Sequence, residues 1–156
     1  VQGLLGPEAV RTPVLDGGRG PTERVRLVPW GERREPHHPT DAPWPGHLPA
    51  PNPSLVYTEP VPAALTDTTG DPVTTTIRTG LSAAPHTLTI GRDQYRVVQW
   101  SGPWRHDTDW PPHPDTRGRV RLQVTAVPAG HSEPQIALLI ASSDLGMSWT
   151  VEGRYD

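Results

Sequence analysis

Cysteine and lysine are both absent from the 156 residues. Without thiols, disulfides and thiolate-ligated metals are excluded. All 14 basic side chains are arginine, which reads first as the mark of a GC-rich genome and only weakly as interface chemistry. No apolar run approaches the roughly 20 residues of a membrane-spanning helix, and no signal-peptide pattern opens the chain. A cytoplasmic protein with no membrane partner is therefore expected. An initiator Met is missing too, so Val1 reads as the start of a fragment cut from something longer. Apolar residues are sparse, at 33%, against Pro 21 and Gly 15, so much of the chain is not regular structure. A net charge of -3 and a pI near 6.2 argue against a generally basic nucleic-acid binder and leave room for a local basic patch.

What is present is organised around residues 94–104. The run Gln94, Tyr95, Arg96, Val97, Val98, Gln99, Trp100, Ser101 is dense in β-branched and aromatic residues, which favours a long, half-buried strand. Gly102-Pro103 is expected to stop it and swing Trp104 around a corner. Trp100 and Trp104 then read as wedges closing a barrel end, or else as an exposed aromatic platform for a partner.

Upstream, residues 2–10 read as a short helix, bent or restarted by Pro7. Asp16-Gly17-Gly18-Arg19-Gly20-Pro21 reads as a flexible turn, lacking the strand-before, helix-after context of a phosphate loop. Residues 23–30 suggest a short strand in which Val25, Leu27 and Pro29 alternate with Arg24, Arg26 and Val28. Residues 32–62 form an extended arm whose nine prolines forbid helix and starve a sheet of donors. Trp44, Leu48, Leu55, Val56 and Tyr57 stud this arm, which is expected to be pinned by them to the β-domain, to run as a free linker, or to dock a partner.

From residue 63 onward, turn signals recur at strand spacing. A hairpin turning at Asp67-Thr68-Thr69-Gly70 puts Val73, Thr75 and Ile77 on one face. Strands follow at Leu88 to Ile90, along residues 94–101, and at residues 119–125, where Val120, Leu122 and Val124 point inward and Arg119, Arg121 and Gln123 outward. Residues 135–141 are apolar on both faces, as a covered strand requires. Along residues 147–155, Trp149, Val151 and Tyr155 share a face. The fold class expected is all-β: a small antiparallel barrel or sandwich, SH3-like or OB-like, over residues 63–156. Val120, Leu122, Val124, Leu138, Ile140, Trp149 and Val151 are its expected core.

Catalytic chemistry finds little footing. His106, Asp107, Asp109 and His113 are the densest cluster of potential ligands, but they follow no recognised metal spacing. His37-His38 reads as a solvated pair. No Gly-x-Ser-x-Gly elbow frames a serine, and no pair of acids is set apart for acid–base work. Neither an enzyme nor a cofactor is expected.

Seven pieces of sequence carry a resemblance. Leu5-Gly6-Pro7-Glu8-Ala9-Val10, Pro13-Val14-Leu15, Arg19-Gly20-Pro21-Thr22-Glu23-Arg24-Val25, Val28-Pro29-Trp30-Gly31, Pro43-Trp44-Pro45-Gly46, Trp100-Ser101-Gly102-Pro103-Trp104 and Val151-Glu152-Gly153-Arg154-Tyr155-Asp156 follow one another as in the C-terminal region of actinobacterial ImuB proteins. The chain thus resembles that family along nearly its whole length. Its members are catalytically inactive Y-family polymerase relatives that serve as adaptors of a damage-induced mutasome. The resemblance implies that residues 1–31 are the tail of a preceding polymerase-like region. It also implies two partners, an error-prone C-family DNA polymerase and a RecA-like subunit. The family's clamp-binding peptide, a Gln followed by aliphatic and aromatic residues, is not recognisable here, so a sliding clamp would be reached through a peptide upstream of Val1. Arg119, Arg121 and Trp44 are the candidate partner-binding residues, since exposed Arg and Trp dominate hot spots. The alternative is a single-stranded DNA-binding β-barrel, with Arg92, Tyr95, Arg96, Trp100, Arg105 and Arg117 tracking phosphates and stacking bases. The two readings separate on whether those side chains share one face.

Overall fold

Proline and glycine divide the chain before any strand is counted. The computed structural model describes residues 2–43, 46–76, 80–106, 119–143 and 147–156. It separates into two units, Val1–Leu48 and Pro49–Asp156.

In the first unit, helix α1 (Gln2–Leu5) ends at Gly6, whose φ of 92° is open to glycine, and a 3-10 turn spans Pro7–Ala9. Strands β1 (Arg11–Leu15) and β2 (Val25–Pro29) then pair antiparallel, with Val14 opposite Arg26 and Thr12 opposite Val28. The expected alternation of β2 is inverted. Val28 is buried, while Val25 and Leu27 are exposed beside Leu15. The cause lies in residues 32–43 and 46–48, which are not a free extended arm here but fold back within this unit. Gly17 donates to the carbonyl of His38, and Leu48 is buried. Proline-rich backbone offers carbonyls and few N–H donors. Guanidinium groups meet that need: Arg26 donates to the Glu35 carbonyl at 2.7 Å and Arg24 to that of Leu48 at 3.0 Å. The arginine face of β2 therefore turns inward.

The second unit is a closed barrel built from β3 (Leu55–Thr66), β6 (Thr87–Ile90), β7 (Asp93–His106), β8 (Arg119–Pro128), β9 (Ile136–Ser143) and β10 (Ser148–Tyr155). Each strand pairs antiparallel with the next, and β10 closes on β3. This order is an up-and-down meander. It is a small all-β antiparallel barrel, as expected, with its six strands in sequential order around the closure. The barrel also begins earlier than residue 63. Leu55 to Pro62, assigned to the arm, form the first part of β3. Prolines fit there because β6 joins β3 from Ala63 onward, so this part has β10 as its one ladder neighbour.

The ribbon of β4 (Thr75–Thr76) and β5 (Gly80–Leu81) lies between β3 and β6. Val73, next to β4, donates to the Leu65 carbonyl and accepts from the buried Trp149 indole, at 2.8 Å each. This excursion contributes the buried Val73 and Leu81 to the barrel's core cluster. Ile77, assigned to the same face as Val73, lies outside the described residues. All seven expected core residues are buried, joined by Leu65, Leu88, Val97 and Ala126. Strand β9 is covered on both faces, with Leu138, Leu139, Ile140 and Ala141 all buried.

Two register shifts bend β7 against β8, one between Val97 and Gln99 and one between Ser101 and Trp104. Gly102-Pro103 does not stop the strand. It forms the second bulge, and pairing resumes at Trp104 opposite Arg121. A third shift, between Val151 and Gly153 of β10, overturns another expectation. It turns Tyr155 away from Trp149 and Val151, so that Tyr155 sits opposite Ala137 on the outer face.

Candidate partner-binding cleft on the barrel

The bulges decide what the outer face presents. Across the barrel, Gln99 pairs with Thr125, Thr125 with Ala137 and Ala137 with Tyr155, a single row over four strands. The adjacent row runs from Ser101 through Gln123 to Leu139 and Gly153. All of these except Leu139 and Gly153 line a cleft of about 280 Å³, together with Trp100, Val124, Leu138 and Pro51. Among the described residues, none that lines it carries a charge. Gln123 donates to the Tyr155 hydroxyl at 3.0 Å and fixes the phenol at the cleft's edge. Trp100 is 37% exposed and stands outside the core cluster, as does half-buried Trp104. The wedge reading of both is therefore corrected: Trp100 pairs with inward-facing Val124, yet between the two register shifts of β7 it stays at the surface.

Beside this cleft, Arg121 occupies the outer side of β8 as expected, yet it is only 4% exposed. Its Nε donates to Glu152 Oε2 at 2.6 Å and its Nη2 to Oε1 at 3.4 Å. The small Ala141, opposite Arg121 on the intervening β9, lets the guanidinium reach β10. Arg121 is thus withdrawn as an exposed hot spot. Alternation told which side it takes, but not what covers it. The side chain of Arg119 lies outside the description, and Trp44 and Arg117 lie outside the described residues, as do Asp107, Asp109 and His113 of the ligand cluster and the side chain of His106. Among the described residues, no group of three or more His, Asp or Glu could hold a metal ion.

Among the described residues, those named for DNA do not share a face. Register puts Val97, Trp100 and Arg105 on the side of Ala126, Val124 and Val120, and Arg96 on the opposite side with Gln99 and Trp104. Tyr95 turns inward against the core, and Arg92 sits in the turn between β6 and β7. Tyr95 instead helps line a second cavity, of about 230 Å³, with Tyr57, Val61, Ile90 and Arg154.

Within the first unit, Asp16 is an organising group missed by sequence reading, although its Gly17-Gly18 neighbours hint at a crowded turn. Its Oδ1 accepts from the amides of His38 at 2.7 Å and Gly17 at 2.9 Å, and Arg26 and His38 side chains lie 3.7 Å away. The hydrogen bond from the His38 amide, more than any other influence, holds the Asp16 carboxyl below its ordinary range. Glu23 plays the matching role in the loop, accepting from the amides of Arg19 at 2.7 Å and Gly20 at 3.4 Å. The glycine-rich loop is therefore not a free turn. Gly17, Gly18 and Gly20 are buried, and a methyl group on Gly17 would collide with the Pro39 carbonyl. Its amides are already occupied by a carboxylate, the ligand type an anion site would accept.

Searches of known protein families, of curated proteins and of solved structures return no match for this chain. No helix among the described residues is long and apolar enough to cross a membrane.

Proposed function

We propose that this chain is a non-catalytic protein-interaction region of a translesion-synthesis mutasome adaptor of the ImuB type, working in the cytoplasm. It recruits the error-prone C-family polymerase and a RecA-like subunit, while the sliding clamp is engaged through a peptide upstream. The observation that carries this reading is where two resemblance-bearing pieces meet. Trp100 and Ser101 come from one, Tyr155 from the other, and all three line the uncharged cleft. A surface of aromatic and neutral polar groups suits a protein partner. A phosphate backbone would instead call for converging cations. Of the arginines proposed for DNA, Arg96 and Arg105 lie on opposite sides of β7 and Arg92 in a turn, which weighs against the single-strand DNA alternative.

The test is direct. Affinity of the whole chain for each subunit is measured separately, beside a salt titration with single-stranded oligonucleotide. Saturable binding to at least one subunit, with DNA association weak at 0.15 M salt, is the expected result. Binding to neither subunit, with tight and steeply salt-dependent DNA binding, would transfer the function to the alternative.

A further inference from the structure

Proline already occupies the rim of the cleft. Pro51 lines it, and Pro53 lies against Gly153 in the neighbouring row, where an added Cβ would stand 3.0 Å from the proline Cβ and 2.8 Å from the Leu55 carbonyl oxygen. The outer face of β10 is thus kept free of a side chain under a pyrrolidine ring. Next to these seats, the side chains of Trp100, Gln99 and Ser101 have no hydrogen-bond partner among the described residues. All three are exposed and all three can donate.

Those features describe one kind of ligand. A proline-rich segment in extended conformation presents flat apolar rings and a surplus of carbonyl acceptors, because each proline lacks an N–H. An aromatic wall with unengaged donors and no charge complements it on each count, and binding such a segment sacrifices little conformational entropy. The first unit repeats the same chemistry internally, since Arg24 and Arg26 there satisfy carbonyls of a proline-rich stretch. We infer that the cleft bounded by Trp100, Tyr155 and Pro51 is a docking site for an uncharged, proline-rich extended segment of a partner protein. This inference rests on the adaptor reading for the identity of the partner, and on the cleft alone for the chemistry.

The experiment titrates the whole chain with an acetylated and amidated alternating Ala-Pro dodecapeptide, with a Gly-Ser dodecapeptide as control, by calorimetry and amide chemical shifts. Saturable binding at least tenfold tighter for the Ala-Pro peptide is expected, with shifts at Gln99, Ser101 and Tyr155. Trp100→Ala should weaken it tenfold or more without altering the remaining amide spectrum. Should that variant unfold, the exposed pair Gln99→Glu with Ser101→Glu decides, and the same loss is expected. No binding, equal affinity for the two peptides, or unchanged affinity in a folded variant overturns the site. Both mutasome subunits are titrated against the same variants. If a subunit binds irrespective of Trp100 and the Ala-Pro peptide does not bind, the docking site falls and the adaptor reading stands. If the peptide binds through Trp100 and neither subunit binds at all, the adaptor reading falls and the docking site stands.

Discussion

Leu122 and Arg121 are neighbours on β8 with opposite lessons. Leu122 is fully buried in the barrel interior, where truncation removes both transfer free energy and packing contacts. Leu122→Ala should cost about 2 to 5 kcal/mol, read as a lowered denaturant midpoint with an unchanged slope. Arg121 is almost as buried, but its stability depends on one carboxylate, because its Nη1 already lacks a partner among the described residues. Glu152→Ala strands the guanidinium and should cost about 3 kcal/mol, near the lower end for a broken buried pair because Glu152 keeps some contact with water. Replacing both, as Arg121→Met with Glu152→Leu, should recover most of that loss in the same melting experiment. A double variant no better than the single one would show that the pair does more than satisfy itself.

At the scale of the element, the decisive events are single inserted residues. Alternation along β8 was legible because that strand has no interruption before Pro128, and each inward residue it named is in the core. The same rule misplaced Tyr155, since one extra residue near Gly153 exchanges the two faces beyond it. Gly102 makes the corresponding bulge on β7 with φ of 107°, and a Cβ there would approach the Arg121 carbonyl oxygen to 2.9 Å. Gly102→Ala should therefore destabilise the barrel by about 1 to 3 kcal/mol, and thermal melting followed by circular dichroism measures it. Because the bulge sets Trp100 at the cleft, the same variant should weaken partner binding beyond what its stability loss explains.

For the molecule as a whole, the two units carry different dependence on pH. The depressed carboxyl of Asp16 means that its stabilising effect is complete above the ordinary value of 3.8 and is lost as pH falls through the lower folded value. His47 is also depressed, first by desolvation and then by the Arg24 charge, and Arg24 donates to its Nε2. The folded state thus favours neutral His47, and stability declines as pH drops from 6.5 through its folded value. Both groups belong to Val1–Leu48. Acidification should thus loosen that unit in two stages while the apolar barrel core persists, apart from the exposed turn at Asp67, whose carboxyl is lowered chiefly by the Thr69 hydroxyl. Amide resonances of Gly17 and His38, followed from pH 7 to pH 2, check this. Asp16→Asn should abolish the lower of the two stages.

Local chemistry was enough to specify an antiparallel β-protein, the interior side of β8 and β9, and the turn at Gly70, because strand period and turn residues act over a few positions. Only the tertiary structure decided which face of β2 is covered, since that depends on carbonyls of residues 32–48 finding Arg24 and Arg26. It also decided that Arg121 is sealed by Glu152, 31 residues away, and that Trp100, Gln123 and Tyr155 form one cleft. Each of these is a pairing of distant segments set by barrel closure and bulges, and a one-dimensional pattern holds no record of what will cover a residue from the far end of the chain.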